Sequence, residues 1–453
     1  MGTRPFGRLS GSSINPAEPP LPVVVVGAGA AGLWAAGVLA RNGAPVVVLE
    51  KTARTGTKIL ASGGTRCNLT TTLGPGPAAA LFGGAQERFL RGAFRALPPV
   101  AVRQRFAALG VPTVEAPLEK VFPASQRAKD VRDALEQEAL GAGAELRLDT
   151  PLLGLAGSPE GWRLELGEGR HLVAQRVLLC PGGMSYARTG TTGDGYPWLR
   201  ALDLPVVEPQ PALAPLTSPA RWATDLTGLA LQEASAQLLD PAGKVRRERR
   251  RPVVFTHQGL SGPGAMDLSG TVARALGGER RDPSTDTAKG GCEGNHGWRV
   301  RLDLMPETAR DELRAALVGA SQAKGRPRVS KVLRELAPEV LPKRLVAALC
   351  AQAGIPESDP EVQPLSKAGR HRLIETVKGL CVPVNGTRGF DHAEVTAGGL
   401  GLKVVNPRTM EVNGHPGLFV FGELLDLDGP IGGLNFQAAF ACAQLAAEAI
   451  ERG

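Results

Sequence analysis

The fold class can be predicted from one segment, residues 23–50, which reads VVVVGAGAAGLWAAGVLARNGAPVVVLE. Val23 to Val26 form a continuous apolar run, which is typical of a strand buried on both faces of a parallel sheet. Gly27, Gly29 and Gly32 then supply the glycines of a GxGxxG pattern. A helix rich in Ala and Leu is expected next, followed by a second apolar strand that ends in Glu50. The order strand, glycine turn, helix, strand predicts a dinucleotide-binding βαβ unit.

Each glycine of this pattern has a physical reason. Gly27 permits a tight turn, Gly29 lets the backbone approach a pyrophosphate, and Gly32 lets the helix pack against the strand. The start of the helix offers free N–H groups and a positive dipole end to the phosphates. Glu50 lies 21 residues after Gly29, a spacing that suits hydrogen bonds to a ribose. Because an acid there favours a free ribose over a 2′-phosphate, FAD or NAD ranks above NADP.

Composition limits the class of protein. The chain has 453 residues, with 52 basic against 44 acidic side chains, a formal net charge of +8 and a pI near 9.4. This excess favours acidic or phosphate-bearing partners, although a merely soluble basic protein has the same balance. Six scattered cysteines without a CxxC pair indicate reduced thiols. The apolar runs fall short of the roughly 18 residues of a membrane span. We therefore expect a cytoplasmic protein without a membrane partner, and a flexible tail at 1–20.

A second informative segment, RTGTKILASGGTRCNLTT (54–71), follows the first unit. The stretch SGGTRCNLTTT (62–72) has neither a helical nor a strand period. If the βαβ unit holds a dinucleotide, this loop returns over the cofactor. The Ser-Gly-Gly step at 62–64 would then let backbone N–H groups close on a phosphate. Arg66 would add a forked phosphate contact, and Cys67 and Asn68 would follow beside the cofactor's ring.

This loop carries a resemblance to a known family. GTKILASGGTRCNLT (56–70) resembles the GRKLLISGGGRCNLTN signature of the BaiN/RdsA (YhiN-like) family of FAD-dependent oxidoreductases. Thr65 stands where the family usually has Gly, and Leu434 stands where it usually has Tyr. We therefore expect no aromatic stacking at position 434. Four further blocks are similar to the family, at 121–138, 178–202, 255–269 and 417–450.

The resemblance implies an α/β fold with a Rossmann-like FAD-binding domain of the glutathione-reductase type. It also implies that an inserted domain, β-rich and then helical, splits the FAD-binding domain. A proline-rich stretch at 204–219 offers a place for the first cut. The expected division after the tail is 21–204 for the first FAD-binding part, 205–302 for the β-rich insertion, 303–378 for the helical segment and 379–453 for the second FAD-binding part.

The fingerprint and the resemblance together imply a set of cofactor contacts. In the C-terminal block, Asp426 or Asp428 would bond a ribityl hydroxyl, although an ordinary helix start with acidic caps has the same sequence. The residues expected to bind FAD are Gly27, Gly29, Ala30, Ala31, Gly32, Glu50, Lys51, Lys58, Ser62, Gly63, Gly64, Arg66, Asn68, Gly182, Gly183, Gly422, Glu423, Asp426, Gly432, Gly433 and Asn435.

Three residues are candidates for catalysis. His257 either donates a proton to a substrate or caps a turn. Cys67 either acts as an acid beside the flavin or is a small packed residue. Tyr186, with Arg188, follows the Gly182-Gly183 turn and would line the same site. The histidines and cysteines show no metal-ligand spacing, so we expect no metal site.

The resemblance implies reduction of a carbon–carbon double bond conjugated to a carbonyl, with hydride from the flavin. Two substrates stay open, a uridine in ribosomal RNA that becomes dihydrouridine and a small steroid-like enone. A second GxGxxG is absent from the sequence, so NAD(P)H would bind transiently at the flavin or another donor would serve. A flavin-bearing RNA-binding protein without turnover is the alternative of another class.

Two basic runs bear on the choice of substrate. KVRRERRR (244–251) and KGRPRVSK (324–331) are each either a solvated surface or a phosphate contact, and we expect the second to be helical. Neither run carries interleaved aromatic residues, so stacking on exposed bases is not expected from them. The basic balance favours RNA over a neutral small enone.

Overall fold

The computed structural model describes residues 21–276, 297–336 and 341–452. The predicted tail at 1–20 lies outside the described residues. In the first part of the chain the strands are β1 (Val23–Val26), β2 (Val46–Leu49), β3 (Thr70–Thr71), β4 (Thr113–Ala116), β5 (Lys120–Pro123), β6 (Glu145–Arg147), β7 (Leu152–Ser158), β8 (Gly161–Leu166), β9 (His171–Ala174) and β10 (Arg176–Leu179). Its helices are α1 (Ala30–Arg41), α2 (Thr57–Ala61), α3 (Pro75–Ala80), α4 (Gly84–Ala96), α5 (Pro99–Ala108), α6 (Ala128–Gly141) and α7 (Gly195–Ala201).

The rest of the chain is mixed. Its strands are β11 (Val206–Ala212), β12 (Leu216–Thr217), β13 (Ala230–Leu231), β14 (Ser235–Leu239), β15 (Val245–Arg250), β16 (Val253–Thr256), β17 (Gly259–Ser261), β18 (Arg299–Asp303), β19 (Leu380–Pro383), β20 (Gly386–Thr387), β21 (Val395–Leu400) and β22 (Leu418–Val420). Its helices are α8 (Arg221–Thr224), α9 (Pro263–Leu276), α10 (Arg310–Gln322), α11 (Val329–Leu336), α12 (Lys343–Gln352), α13 (Lys367–Lys378) and α14 (Leu434–Arg452).

A five-stranded parallel sheet organises the first part. Its order is β22-β10-β1-β2-β6, and β1 pairs in register with β2 on one side and with β10 on the other. All residues of β1 and β2 are buried, because helices cover both faces of the sheet. This sheet confirms the predicted Rossmann-like α/β fold.

Helix α1 is buried on every side. Its residues from Ala31 to Ala40 are all buried, and it packs against α14 and α6. Small side chains allow this close approach, and Trp34 fills the gap between the helices with its ring centroid 4.7 Å from that of Phe440. The helix therefore lies in a fixed position behind the glycine turn.

The second part has its own hydrophobic core. Buried residues from Leu216 to Val384 form it, and they come from two antiparallel sheets, of order β13-β16-β17-β12-β20 and β15-β14-β18-β19, and from the helices beside them. Among the described residues, no strand between 205 and 375 joins the parallel sheet. The two parts are connected through β11, which pairs antiparallel with β21.

The domain boundaries stay predictions, and the strand pairing gives information about the last one, at residue 379. β19 pairs with β18, and β20 pairs with β12, so residues 380–387 belong to the sheets of the second part. The first strand to return to the parallel sheet is β22, at Leu418. Strand pairing alone would thus place the return after Thr387 rather than at 379.

Two expectations need correction. The run 324–331 is mostly not helical, because α11 begins only at Val329. Four of the cysteines, Cys67, Cys180, Cys350 and Cys442, are free and buried as expected, whereas Cys381 is disulfide-bonded. Among the described helices, none combines the length and apolar character needed to cross a bilayer.

Candidate active site

A cavity of about 750 Å³ opens where the parallel strands β1, β2 and β10 end. Ligands of open α/β sheets bind at this edge, outside the carboxyl ends of the strands. The first part supplies most of the wall. The second part closes it with Val254, Thr256, Ser261, Gly262, Pro263 and Met266, and the connection between the two parts adds Leu213, Glu394 and Val395. The cavity therefore joins a cofactor-type turn to residues of the other core.

The glycine turn has the shape that a pyrophosphate needs. Gly27 has φ +102°, and a Cβ there would lie 2.6 Å from the Cys180 carbonyl oxygen. A Cβ on Gly32 would overlap the Gly27 carbonyl oxygen, so only glycine lets α1 pack on the turn. Gly29 lines the cavity, and a Cβ there would meet no described atom within 4 Å. The room above Gly29 and the start of α1 fits a phosphate group.

Glu50 is held in place by hydrogen bonds from Ala28 and Thr52. Its Oε2 accepts a hydrogen bond from the Ala28 N–H at 2.9 Å. Its Oε1 accepts from the backbone N–H and the hydroxyl of Thr52, at 2.9 and 2.8 Å. An ionised carboxylate has about four acceptor sites, so this one keeps capacity for a hydroxyl donor. Glu50 lines the cavity, and its predicted contact with a ribose stays a prediction.

Two lysines on the cavity wall are already paired with acids. The Lys58 ammonium donates to Glu423 at 2.5 Å and to the Ser185 hydroxyl at 2.6 Å. Lys51 forms an ion pair with Asp194. These pairs fix both side chains on the wall, and they reduce the positive charge that each lysine offers to a phosphate.

The loop that follows α2 contributes to the wall as expected. Ser62, Gly63, Gly64, Arg66 and Asn68 all line the cavity. The Arg66 guanidinium lies 4.6 Å from the centroid of the Phe122 ring, which keeps it at the rim. Asn68 accepts a hydrogen bond from the Val121 N–H at 3.0 Å, so the loop is tied to β5.

The C-terminal block closes the other side of the cavity. Gly422, Glu423, Gly432, Gly433 and Asn435 line it. Gly433 has φ +79°, and a Cβ there would overlap the backbone of Thr70. This contact brings the start of α14 against β3, so the turn at 432–433 faces the cavity together with the first turn of α1. Leu434, at the position of the family's usual Tyr, is buried in the core.

The structure does not bring every predicted residue to the cavity wall. Asp426 accepts from the Gly398 N–H at 3.1 Å, outside the wall. Gly183 packs against Thr396, and Gly32 packs against the turn. His257 is exposed, and the neighbouring Thr256 lines the cavity in its place. These placements leave Gly32 and Gly183 a packing role.

The predicted acid Cys67 also lies outside the wall. Its side chain is fully buried in the core, and burial raises the pKa of its thiol to about 12. Its backbone is left-handed, with φ 61°, and this turn directs the side chain inward while Arg66 and Asn68 reach the cavity. The alternative of a small packed residue fits this position.

Tyr186 does line the cavity, from a left-handed turn with φ 57°. The Arg188 guanidinium lies 5.3 Å from the centroid of its ring. Of the three catalytic candidates, Tyr186 is the one that the structure places on the wall.

Sequence reasoning missed several ionisable residues of the wall, among them Asp194, Lys120 and Glu394. Burial, and then the charges of Arg251 and Arg66, lower the pKa of Lys120. Burial, and then the charge of Asp267, raise the pKa of Glu394. The surface of Glu394 is exposed, but that surface faces the cavity, and the protein atoms around the cavity desolvate its carboxyl group. The signal available was an acid directly before the glycine-containing run VTAGGL (395–400).

The basic run at 244–251 is an edge strand with most of its charge neutralised. β15 pairs with β14 at the edge of its sheet. Arg246 pairs with Asp240 at 2.6 Å, Arg249 with Asp267 at 3.5 Å and Arg251 with Glu119 at 2.5 Å. Arg250 pairs with both Glu233 and Glu307. Within the described part of the chain, Arg247 has no carboxylate partner within 4.0 Å.

Comparison with known proteins gives close agreement in length. The ribosomal RNA dihydrouridine synthase of Escherichia coli is 29% identical over 425 residues, covering 93% of this chain and 96% of that protein. The enzyme of the same name from Haemophilus influenzae is 29% identical over 441 residues, covering 95% and 98%. The 3-dehydro-bile acid delta(4,6)-reductase of Clostridium scindens is 29% identical over 427 residues, covering 94% and 98%.

The family model described as HI0933-like protein Rossmann domain matches residues 21–449. This match runs from before the first strand of the parallel sheet into the last helix, and the relatives confirm the resemblance seen in the sequence. The chain belongs to the HI0933-like Rossmann family.

Proposed function

We propose that this protein is an FAD-dependent oxidoreductase that reduces a carbon–carbon double bond conjugated to a carbonyl. The supporting observation is one cavity that runs from the Gly27–Gly29 turn and Glu50 to the polar residues of the second part. Its volume of about 750 Å³ lies in the range of cofactor sites, roughly 300–1,000 Å³. FAD and part of a substrate are the ligands that this wall would take.

The residues of the chain have distinct tasks in this proposal. The turn at Gly27 and Gly29, with the start of α1, would bind the pyrophosphate, and Glu50 would accept from a ribose hydroxyl. When bound, FAD would supply the hydride equivalent for the reduction. The protein supplies position, a cavity closed by two cores, and the proton that the second carbon needs.

The substrate we favour is a uridine in ribosomal RNA, which would become dihydrouridine. Uracil C5=C6 is conjugated to a carbonyl, so it offers the same chemistry as an enone. The net charge of +8 supports an RNA partner, and two relatives carry the name of this activity. The ion pairs of β15 weaken the charge argument, because they occupy most of its arginines. A steroid-like enone is the second candidate, since the bile acid reductase is equally identical.

The cofactor is tested first. We expect the purified protein to be yellow, to release FAD on heating, and to bleach when NADH or NADPH is added without oxygen. A protein that releases FMN alone, or that binds no flavin after reconstitution, contradicts the proposal. Flavin that is bound but is neither reduced by any donor nor reoxidised by any acceptor would favour the non-catalytic RNA-binding alternative.

The substrate is tested in cells. Ribosomal RNA from a strain that lacks the gene is digested and analysed by mass spectrometry, in parallel with RNA from the parent and from a complemented strain. Loss of a dihydrouridine on deletion and its return on complementation support the RNA substrate. Unchanged dihydrouridine, together with reoxidation of the reduced protein by a 3-oxo-4-ene steroid, supports the small enone. Both strains also serve to test the cytoplasmic location by fractionation.

A further inference from the structure

Four acidic side chains line the cavity, and three of them already have partners. Glu50 accepts from backbone N–H groups, and Asp194 pairs with Lys51. Glu423 accepts from Lys58 at 2.5 Å, from the Ser185 hydroxyl at 2.7 Å and from the Thr396 N–H at 2.8 Å. Within the described part of the chain, the fourth carboxyl group, that of Glu394, makes no hydrogen bond or ion pair. Among the four, it is thus the carboxyl group that no described protein group already occupies.

The backbone of Glu394 is fixed even though its carboxyl group is not. Its N–H donates to the Leu213 carbonyl at 3.1 Å, and its carbonyl accepts from the Ser185 hydroxyl at 3.4 Å. The next residue begins β21, which is buried throughout and pairs with β11. The carboxyl group therefore extends into the cavity from a rigid point where the two parts of the chain meet.

The charges around Glu394 come from three elements. Asp267 on α9 opposes its ionisation, whereas Lys120 on β5 and Lys58 on α2 favour it. Because Lys58 is already paired with Glu423, it stabilises the ionised form of Glu394 less than a free lysine would. Burial outweighs both lysines, and the pKa of Glu394 lies above its ordinary value. A carboxylic acid with a raised pKa keeps its proton closer to neutral pH, which is what a general acid requires.

We propose that Glu394 is the catalytic acid of the reduction. This inference rests on the proposed function. Once hydride has formed a C–H bond at the β-carbon, the π electrons of the double bond move to the carbonyl oxygen. The enolate then takes the Glu394 proton at the α-carbon. The O–H bond of Glu394 breaks, a second C–H bond forms, and the carboxylate regains a proton from solvent.

The test separates the two halves of the reaction in the FAD-loaded protein. Glu394→Gln keeps the size of the side chain and removes the proton. Its flavin is reduced by dithionite and then mixed with the acceptor, either ribosomal RNA from the deletion strain or a 3-oxo-4-ene steroid. We expect unchanged flavin content and unchanged reduction, but reoxidation by the acceptor slowed on the order of 10²–10⁴-fold. Glu208→Gln is the matched control, because Glu208 is an exposed acid paired with Arg200 outside the cavity.

The pH profile distinguishes an acid from a structural residue. Reoxidation of the wild type should fall as the pH rises through the pKa of Glu394, because the acid loses its proton. This limb should be absent in Glu394→Gln and shifted in Glu394→Asp, with part of the rate restored. As a readout independent of turnover, infrared titration of the oxidised holoprotein should show a protonated carboxyl band that persists above the ordinary glutamate range and is missing from Glu394→Gln.

Each result decides between the proposals. A wild type that no acceptor reoxidises removes the proposed function, and the role of Glu394 with it. A wild type that is reoxidised, with Glu394→Gln equal in rate and pH profile, overturns the role of Glu394 alone. In that case Lys120 and Tyr186, two further ionisable residues of the cavity wall, become the residues to replace.

Discussion

Glu50→Ala separates the structural task of this carboxylate from its cofactor task. The substitution leaves the Ala28 N–H without its acceptor, and Ala28 is fully buried. A buried donor that loses its partner costs about 1–3 kcal/mol of unfolding free energy. The two bonds from Thr52 contribute less, because this residue is only partly buried and water can replace them.

The contribution of Glu50 to FAD binding is measured on the same variant. A hydrogen bond from a ribose hydroxyl to a carboxylate contributes about 1.5–3 kcal/mol, which corresponds to a roughly ten- to hundredfold weaker Kd for FAD. Denaturant unfolding of the flavin-free protein measures the change in unfolding free energy, and titration with FAD measures the change in Kd. Glu115→Ala is the control, since this exposed acid pairs with Arg103 away from the cavity.

The reasoning about Glu50 predicts that both quantities change. An affinity for FAD within twofold of the wild type would refute the assignment of Glu50 to the ribose. An unchanged unfolding free energy in the flavin-free protein would refute the role of its bond to Ala28. Glu50→Gln adds a finer test, because one amide oxygen can still accept from Ala28 while the amide nitrogen faces the N–H of Thr52.

Three further outcomes follow from the contacts. Gly32→Ala should abolish FAD binding and lower the melting temperature by several degrees, because its Cβ overlaps the Gly27 carbonyl oxygen; thermal unfolding and absorbance measure both. The Cys67 thiol, with a pKa of about 12, should resist alkylation at pH 8 in the folded protein and react after denaturation, as mass spectrometry would show. Arg247→Ser should lower the slope of log RNA affinity against log salt concentration by up to about 0.9. Arg250→Ser should change this slope less, because Arg250 is ion-paired. Filter binding across a salt series compares the two variants.

The parts of the site that were predictable are those made by neighbouring residues. Gly27, Gly29 and Gly32 act within one turn, and Glu50 follows at the distance that one helix sets, so the βαβ unit could be identified from spacing alone. The loop around Arg66 and Asn68 could be identified because its whole signature is contiguous. Residues that are close in sequence thus allowed prediction of the part of the cavity wall that is proposed to bind FAD.

The residues that sequence reasoning missed reach the wall through distant pairing. Glu394 depends on β21 pairing with β11, nearly two hundred residues earlier in the chain, and Lys120 depends on β5 pairing with β3 and β4. Cys67 was placed beside the cofactor because its neighbours are there, but its left-handed backbone turns its side chain into the core. The side chain of His257 does not line the cavity, because the preceding residue, Thr256, faces inward instead.

The two-part wall gives a physical reason why one family can hold an RNA-modifying enzyme and a bile acid reductase. The turn at Gly27–Gly29, Glu50 and the start of α14 belong to the part built around the parallel sheet, and in the proposed function they would bind FAD without selecting the acceptor. Thr256, Ser261 and Met266 come from the second part, so changes there would alter the acceptor without disturbing the cofactor. Strand β15 and the following Arg251 lie in that same part, and Arg249 and Arg251 reach Asp267 and Glu119 near the wall. An RNA substrate would have to exchange some of these ion pairs for phosphate contacts. A small enone would leave them intact, and salt would then affect its turnover little.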